Sequence, residues 1–272
     1  MRIKHRFSFS NTYTDITRVI EQTDIMPDKQ EILTTFEIFE DSRYFELIKK
    51  TFESHDIMFT ITEAEFTKDE MNESQWFSIR STWRYGYPQP EDEGYKSSTY
   101  DNSGYCDKCK SGLVQKASFS IKKAPTWNSR NFLMINLIHD ELFVSNRAES
   151  VLQSSNLSGF TFCSVLNYKN QILESIKQLR VTNQLNNGLK KKSISQEFIC
   201  PQCSKKKYII KPGFIYYSGE AFKDVQVDII KSSEEFGGIG SDNTIFITKK
   251  FYELLEVNKL GRGLAYRPVR LF

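Results

Sequence analysis

The chain has 272 residues, of which 39% are apolar and 14% aromatic, and this composition excludes wholesale disorder. No stretch approaches the roughly 18–20 unbroken apolar residues of a transmembrane helix, and the first residues lack the apolar core of a signal peptide, so we expect a cytoplasmic protein. The net charge of +3 is unevenly distributed along the chain. Residues 1–105 carry 12 Lys/Arg against 20 Asp/Glu, and residues 106–272 carry 25 Lys/Arg against 14 Asp/Glu. This distribution indicates either two regions with different surfaces or two halves that partly neutralise each other.

Residues 1–85 predict a small acidic α+β domain. Four segments alternate apolar and polar side chains, as half-buried strands do: residues 3–9, 32–38, 57–66 and 77–85. Ser42 is placed to cap a helix that ends near Ser54. The apolar face of that helix has three side chains, Phe45, Ile48 and Phe52. We therefore expect an antiparallel sheet with a helix on one side.

Residues 86–105 combine glycine, proline and tyrosine with an acidic run, and we interpret them as an irregular linker. Its tyrosines either form a contact surface for a partner or hold the linker against its neighbours. Large aromatic side chains dominate interface energetics, and acidic side chains steer basic partners. The candidate partner-binding residues are Trp83, Tyr85, Tyr87, Glu91, Asp92, Glu93 and Tyr95.

Residues 106–272 form a basic region with a weak internal repeat. An apolar strand, a helical stretch, a glycine turn and a second strand begin at Leu142, and the same order begins again 103 positions later at Ile245. Ser145 and Thr248 stand where the N-cap of each helix belongs. The repeats, at about 106–166 and 200–272, would each include one cysteine pair, although chance similarity of two amphipathic units is the alternative. Between them, residues 168–179 have apolar side chains at helical spacing.

Four of the five cysteines form two C-x-x-C pairs, Cys106/Cys109 and Cys200/Cys203. Two residues between cysteines allow a tight turn to direct both sulfurs at one cation, and two such turns complete a tetrahedral zinc site. Lysines near the pairs would offset the negative charge of a zinc tetrathiolate: Lys108, Lys110, Lys205, Lys206 and Lys207. We therefore predict one structural Zn²⁺ ion with these four cysteines as ligands.

Three other interpretations of the cysteine pairs stay open. A redox pair of the thioredoxin type requires a thiol at a helix N-terminus, whereas the sequence after Cys203 reads as a strand. An iron–sulfur cluster would accept the same ligands, and thiols without any ligand are the third alternative. Cys163 stands alone in an apolar strand and is expected in the core.

We find no sequence pattern typical of catalysis. The three histidines, His5, His55 and His139, are far apart along the chain, and no metalloprotease, nucleophile-elbow or phosphate-loop motif occurs. His139 is expected to be a satisfied polar residue at a strand end. We therefore expect a protein that is not an enzyme.

The two cysteine pairs bracket a unit of the form Asp-Glu-Leu-Phe-Val-Ser, a helix, and Leu-x-Gly-Phe-x-Phe-x-x-Val, at residues 140–165. This combination resembles the double-CxxC proteins of the bacterial polymorphic-toxin immunity class, over about residues 105–272. That family tends to place glycine directly after the second cysteine, where this chain has Lys110 and Ser204. The resemblance implies inhibition of a cognate protein toxin by binding, without chemistry of its own.

The alternative function is a zinc-ribbon type of nucleic-acid binding through the basic region. Its support is the excess of positive charge after residue 105, with lysine runs at 190–192 and 205–207 near the second cysteine pair. Phosphate contacts by these lysines would make binding fall steeply with salt.

Overall fold

The computed structural model describes residues 1–238 and 240–272, with side chains at all of these positions except 61–63. The chain divides into two compact units, Met1–Glu73 and Ser74–Phe272. The first unit carries 9 Lys/Arg against 16 Asp/Glu and the second carries 28 against 18. None of the helices in the described part of the chain has both the length and the apolar composition that crossing a bilayer requires.

The first unit is an antiparallel sheet with helices packed on it. Its elements are β1 (Arg2–Ser10), α1 (Thr14–Glu21), β2 (Asp28–Lys29), β3 (Leu33–Phe39), α2 (Phe45–Ser54), β4 (Thr60–Glu65) and α3 (Lys68–Glu73). The strands pair in the order β2-β3-β1-β4. Side chains from the sheet, α1 and α2 form one core: Phe7, Phe9, Ile16, Ile20, Phe36, Ile38, Phe45, Ile48 and Phe52. The expected antiparallel sheet and helix are therefore confirmed in this unit.

Two details of the first unit differ from the sequence prediction. Helix α1 was not predicted, although it buries Ile16 and Ile20. Helix α2 has Tyr44 at its N-cap position and no side-chain cap. The Ser42 hydroxyl instead accepts a 3.4 Å hydrogen bond from the amide of Tyr44, before the helix begins. The prediction of a serine cap was therefore wrong.

The second unit is mainly β-structure. Its elements are β5 (Trp76–Ser81), α4 (Gly94–Thr99), β6 (Tyr100–Asp101), β7 (Val114–Gln115), β8 (Phe132–Leu133), β9 (Leu142–Ser145), α5 (Asn146–Gln153), β10 (Phe160–Leu166), β11 (Ile172–Val181), β12 (Ile194–Ile199), β13 (Lys206–Ile210), β14 (Ile215–Tyr217), α6 (Gly219–Phe222), β15 (Ile229–Phe236), β16 (Asp242–Thr248), α7 (Lys249–Val257) and β17 (Leu264–Leu271). A mixed seven-stranded sheet has the order β12-β13-β15-β16-β5-β17-β14. A second sheet has the order β10-β11-β9-β8, and β6 pairs with β7. The fold is thus α+β, as predicted.

Two strand–helix–strand segments of this unit share an arrangement. In β9-α5-β10 the two strands lie on either side of β11 and are antiparallel to it. In β16-α7-β17 the strand β5 occupies the corresponding place. Both helices begin with the predicted cap: Ser145 accepts from the amide of Ala148, and Thr248 from that of Phe251, each at 3.2 Å.

The strand predicted at residues 77–85 exists as β5 but lies in the second unit. Ile79 pairs with Ile245 of β16 and with Tyr266 of β17, so β5 is an interior strand of the seven-stranded sheet. The sequence places this strand in the first domain, because alternation of side chains reveals a strand but not its pairing partner. The boundary between the two units accordingly falls after Glu73 rather than after residue 85.

Two further segments differ from their predicted form. Residues 86–105 include α4 and β6, and Tyr95 and Tyr100 are buried in a core cluster of the second unit. Tyr95 and Tyr100 therefore hold this segment against its neighbours, as in the second of the two interpretations, whereas Tyr87 is exposed. Residues 172–181 form β11 rather than a helix, because pairing with β9 and β10 overrides the helical spacing of the apolar residues.

Candidate metal centre

The first cysteine pair lies in the connection between β6 and β7. The amide of Cys106 donates to the carbonyl of Ser111 at 2.9 Å, and the amide of Lys110 donates back to the carbonyl of Cys106 at 2.7 Å. These two bonds close a tight turn around Cys109. Lys110 has a φ of 65°, in the left-handed region.

The second pair lies in the β12–β13 hairpin and repeats this backbone pattern. The amide of Cys200 donates to the carbonyl of Lys205 at 2.9 Å, and the amide of Ser204 donates to the carbonyl of Cys200 at 2.9 Å. Ser204 has a φ of 59°. The residue that follows the second cysteine is thus left-handed in both turns, which is the conformation that glycine adopts without steric cost.

The four sulfur atoms converge on one point. All four Sγ atoms lie within 4.8 Å of one another. The Sγ atoms of Cys106 and Cys200 are 3.7 Å apart, and those of Cys109 and Cys203 are 3.5 Å apart. A regular tetrahedron of sulfurs at about 2.3 Å from a central zinc ion has edges of about 3.8 Å, so the spacing suits such an ion. Cys203 is exposed, whereas the other three cysteines are buried.

Cys163 is not part of this cluster. It lies in β10, opposite Gln178 of β11, and is half-buried rather than fully in the core as expected. Five cysteines therefore separate into four that meet and one that stands apart, as the spacing in the sequence predicted.

Lys207 contacts the backbone of one of the four cysteines. Its side chain is buried, and its ammonium group donates to the carbonyl oxygens of Cys109 at 2.9 Å, of Gly238 at 3.2 Å and of Gly240. A buried cation held against the backbone of a ligand offsets the negative charge of a metal tetrathiolate. From the sequence, Lys207 could not be distinguished from the other four lysines near the cysteine pairs.

The other lysines near the cysteines have different surroundings. Lys205 pairs with Glu235 at 3.2 Å, and Lys206 pairs with Glu197 at 3.1 Å. The ammonium group of Lys110 lies 5.8 Å from the ring centroid of Tyr105. Lys205 and Lys206 are exposed, and charge compensation by surface side chains is weak.

Ser111 connects the first turn to β15 and to Ser241, directly before β16. Its hydroxyl accepts from the Cys109 thiol at 3.3 Å, donates to Glu235 and contacts the hydroxyl of Ser241 at 3.0 Å. Burial raises the pKa of the Cys109 thiol, but hydrogen bonds with Ser111 and with the neighbouring sulfurs outweigh burial and bring it to about 6. The amide of Lys205 lowers the pKa of Cys203, but burial and the neighbouring sulfurs raise it to about 12. The ionisation of Cys109 and that of Cys203 are therefore linked through the contact between their sulfur atoms.

A second buried polar cluster joins the two residues directly before β9 to Lys231 of β15. Lys231 contacts Glu141 at 2.5 Å and Asp140 at 3.5 Å, and Gln178 donates to Glu141 at 2.9 Å. Burial lowers the pKa of Lys231, but the two carboxylates outweigh burial and raise it, so we assign a charged lysine between them. Sequence reasoning missed this cluster, because its members are spread over residues 140–231 and no local pattern connects them.

His139 stands beside Arg84, with its Nδ1 atom 2.5 Å from a guanidinium nitrogen. Burial and the positive charge of Arg84 lower the pKa of His139. The histidine thus has a polar partner, as the sequence predicted for it.

The candidate partner-binding residues differ in their exposure to solvent. Tyr95 is only 7% exposed and packs in the core, so it is not available as a contact residue, and its selection was wrong. Trp83 and Tyr85 are half-buried, with the Trp83 ring 5.4 Å from that of Trp127. Tyr87 is 53% exposed.

Two side chains of the acidic run beside those aromatic residues form ion pairs within the chain. Glu91 pairs with Lys122 at 2.7 Å, and Glu93 pairs with Lys96 at 2.6 Å. Asp92 has a φ of 55°. Of the residues predicted to contact a partner, Tyr87 is therefore the aromatic one that the structure leaves largely exposed.

No model of a known protein family matches the chain, and no curated protein matches it. The cysteine cluster is therefore interpreted from its own geometry.

Proposed function

We propose that the chain binds one structural Zn²⁺ ion through Cys106, Cys109, Cys200 and Cys203. The observation that carries this proposal is the convergence of four thiols from two turns 94 residues apart. Sulfur donors in a closed four-ligand set are typical of structural zinc, because catalytic zinc keeps one position for water or substrate.

The geometry of the turns favours zinc over a redox pair. Thioredoxin-type cysteines begin a helix, whose N-terminus stabilises the thiolate. Here both pairs lie in turns between strands, β6 and β7 in one case and β12 and β13 in the other. A metal that joins these two hairpins would contribute on the order of 10 kcal/mol to folding.

Metal analysis of the purified protein tests this proposal. We expect one zinc per chain by inductively coupled plasma mass spectrometry, and less than stoichiometric zinc in Cys106→Ser and Cys200→Ser. The matched control is Cys163→Ser, which removes the cysteine outside the cluster and should keep the full zinc content. Metal-free protein that is fully folded, or equal loss of zinc in the control, would exclude the assignment.

We further propose that the chain acts by binding and neutralising a cognate bacterial toxin. The support is the resemblance of residues 105–272 to the double-CxxC proteins of the immunity class, which includes the cysteine pairs and the strand–helix–strand unit. The left-handed Lys110 and Ser204 suit this comparison, since that family tends to have glycine at these positions. The acidic first unit suits a basic partner.

Co-expression with a neighbouring gene, if that gene encodes a secreted multidomain toxin, tests toxin neutralisation. We expect the chain to restore growth of cells that produce the toxin and to co-purify with it. If zinc is bound but growth is not restored and no complex forms, the toxin proposal fails while the zinc proposal stands.

We also infer that the two halves of the basic region arose by duplication. The support is the shared hydrogen-bond pattern of the two cysteine turns and the shared place of β11 and β5 between the strands of each segment. Each half would then bring one pair of thiolates to the common metal.

A further inference from the structure

A row of aromatic and basic side chains lies at the β14 edge of the seven-stranded sheet. Strands β14 and β17 pair in parallel, with Tyr216 opposite Arg270. Since side chains alternate along a strand, Phe214 and Phe272 face the same side as this pair. The ring centroids of Phe214 and Tyr216 are 6.3 Å apart, and those of Tyr216 and Phe272 are 5.6 Å apart. We call these four residues, together with Lys192, the aromatic–basic patch.

The positively charged groups of the patch lie within cation–π distance of its rings. The Lys192 ammonium is 4.2 Å from the ring centroid of Tyr216 and 5.8 Å from that of Phe272. The Arg270 guanidinium is 4.5 Å from the ring centroid of Phe214. Phe272 is 69% exposed, and Phe214 and Tyr216 are half-buried.

Two more lysines adjoin the patch. Lys190 and Lys191 precede Lys192 in the segment whose backbone bonds to β14 through the Lys190 amide and the Tyr216 carbonyl. Within residues 1–238 and 240–272, no ion pair engages Lys190, Lys191 or Lys192. Their charge is therefore available to an anionic partner.

The lysines near the second cysteine pair differ in this respect. Lys205 and Lys206 pair with glutamates, and Lys207 is buried against backbone carbonyls. That hairpin is also at the opposite edge of the sheet from β14. The two lysine runs therefore do not form one surface.

We propose that the aromatic–basic patch binds single-stranded nucleic acid. Bases stack on Tyr216 and Phe272, and phosphates pair with Arg270 and the lysines at 190–192. Unpaired bases offer stacking faces and phosphates together, which suits rings interleaved with cations. A duplex keeps its bases stacked internally and would contact only the cations. An acidic protein would also pair with the cations and would leave the three neighbouring rings without a stacking partner. This binding is independent of toxin neutralisation.

Fluorescence anisotropy of a labelled oligonucleotide of about 12 nucleotides tests the patch on the full zinc-loaded chain. We expect binding that weakens at least about tenfold in Tyr216→Ala, since stacking on one ring contributes roughly that factor or more. Lys192→Ala should also weaken binding and should lower the salt dependence by about one released counterion.

The matched control is a second exposed pair of the same chemistry. The Lys169 ammonium lies 5.5 Å from the ring centroid of Tyr168, which is 61% exposed. Tyr168→Ala and Lys169→Ala should leave the affinity unchanged. If circular dichroism shows that Tyr216→Ala is unfolded, Phe272→Ala replaces it, because that ring is at the surface.

Three results would overturn the proposal. These are absence of binding at low salt, equal weakening in the Tyr168 and Lys169 variants, and binding of a duplex as tight as that of the single strand with no effect of the ring substitutions. The last result would indicate nonspecific attraction to phosphates alone.

Discussion

At the scale of single residues, the position after the second cysteine of each pair has the clearest conformational demand. Lys110 and Ser204 are left-handed because each turn must return its amide to the carbonyl of the first cysteine. A residue with a Cβ atom adopts this conformation at a cost of about 1–2 kcal/mol, and glycine does not.

We therefore predict that Lys110→Gly raises the free energy of unfolding of the zinc-loaded protein by about 1 kcal/mol. Chemical denaturation at constant zinc measures the change. Lys108→Gly is the control, since Lys108 is an exposed neighbour outside the left-handed region, and it should not stabilise. Equal effects of the two substitutions would contradict the role assigned to the turn.

The buried Lys207 carries a second prediction at this scale. Lys207→Met leaves the carbonyl of Cys109 and two glycine carbonyls without their donor and removes a positive charge beside the thiolates. We expect zinc affinity to fall about 10–100-fold, as for other groups that support metal ligands. Competition with a chromogenic chelator measures it. Lys206→Met, which removes a surface pair with Glu197, should change the affinity little; a similar loss in both variants would argue against a special role for Lys207.

At the scale of elements, local patterns predicted the strands better than their partners. Alternation identified β1, β3 and β5, but β5 pairs with strands more than 160 residues later. For β11, three apolar residues at spacings of four and three fit a helix, and only pairing with β9 and β10 decides the outcome. Pairing over such separations depends on packing that a single segment does not contain.

The site was more predictable than the sheet around it. The C-x-x-C spacing is sufficient to predict a tight turn that brings two sulfur atoms together, so the four cysteines could be predicted as metal ligands from the sequence. Lys207 and Ser111 could not be ranked above their neighbours. Their importance depends on Glu235 and on the carbonyl of Gly238, which come from distant segments.

The half-buried Asp242, at the start of β16, is predicted to make the stability of the fold depend on pH. Burial, with the negative charge of Asp140, raises the pKa of the Asp242 carboxyl to about 7. Because folding raises this pKa, the carboxyl favours the folded state below its unfolded pKa of about 3.9, and this contribution is lost as the pH rises through 7. Asp242→Asn should therefore stabilise the protein increasingly between pH 4 and pH 7 and by a constant amount above.

Thermal unfolding of the zinc-loaded protein across this range measures the effect. Asp224→Asn, at an exposed aspartate of the same unit, is the control and should show no such trend. A parallel shift at all pH values in Asp242→Asn would show that the substitution acts by packing rather than by ionisation.

At the scale of the whole molecule, the four cysteines all belong to the second unit. The first unit has its own core of nine buried side chains and contains none of the proposed ligands. We therefore predict that zinc removal by a chelator unfolds at least the two cysteine hairpins while the first unit keeps its structure.

Hydrogen exchange with mass spectrometry measures this difference. Amides at residues 100–115 and 194–210 should lose protection on chelation, and those of β1 and β3 should keep it. Unchanged exchange at the hairpins would mean that the metal contributes nothing to their stability, and loss of protection throughout the chain would show that the two units do not unfold separately.

The most direct measurement of the central claim is zinc K-edge X-ray absorption of the purified protein. Four cysteines that hold one zinc ion predict a first shell of four sulfur atoms at about 2.3 Å. A first shell with nitrogen or oxygen neighbours in place of sulfur, or a sample without zinc, would contradict the assignment.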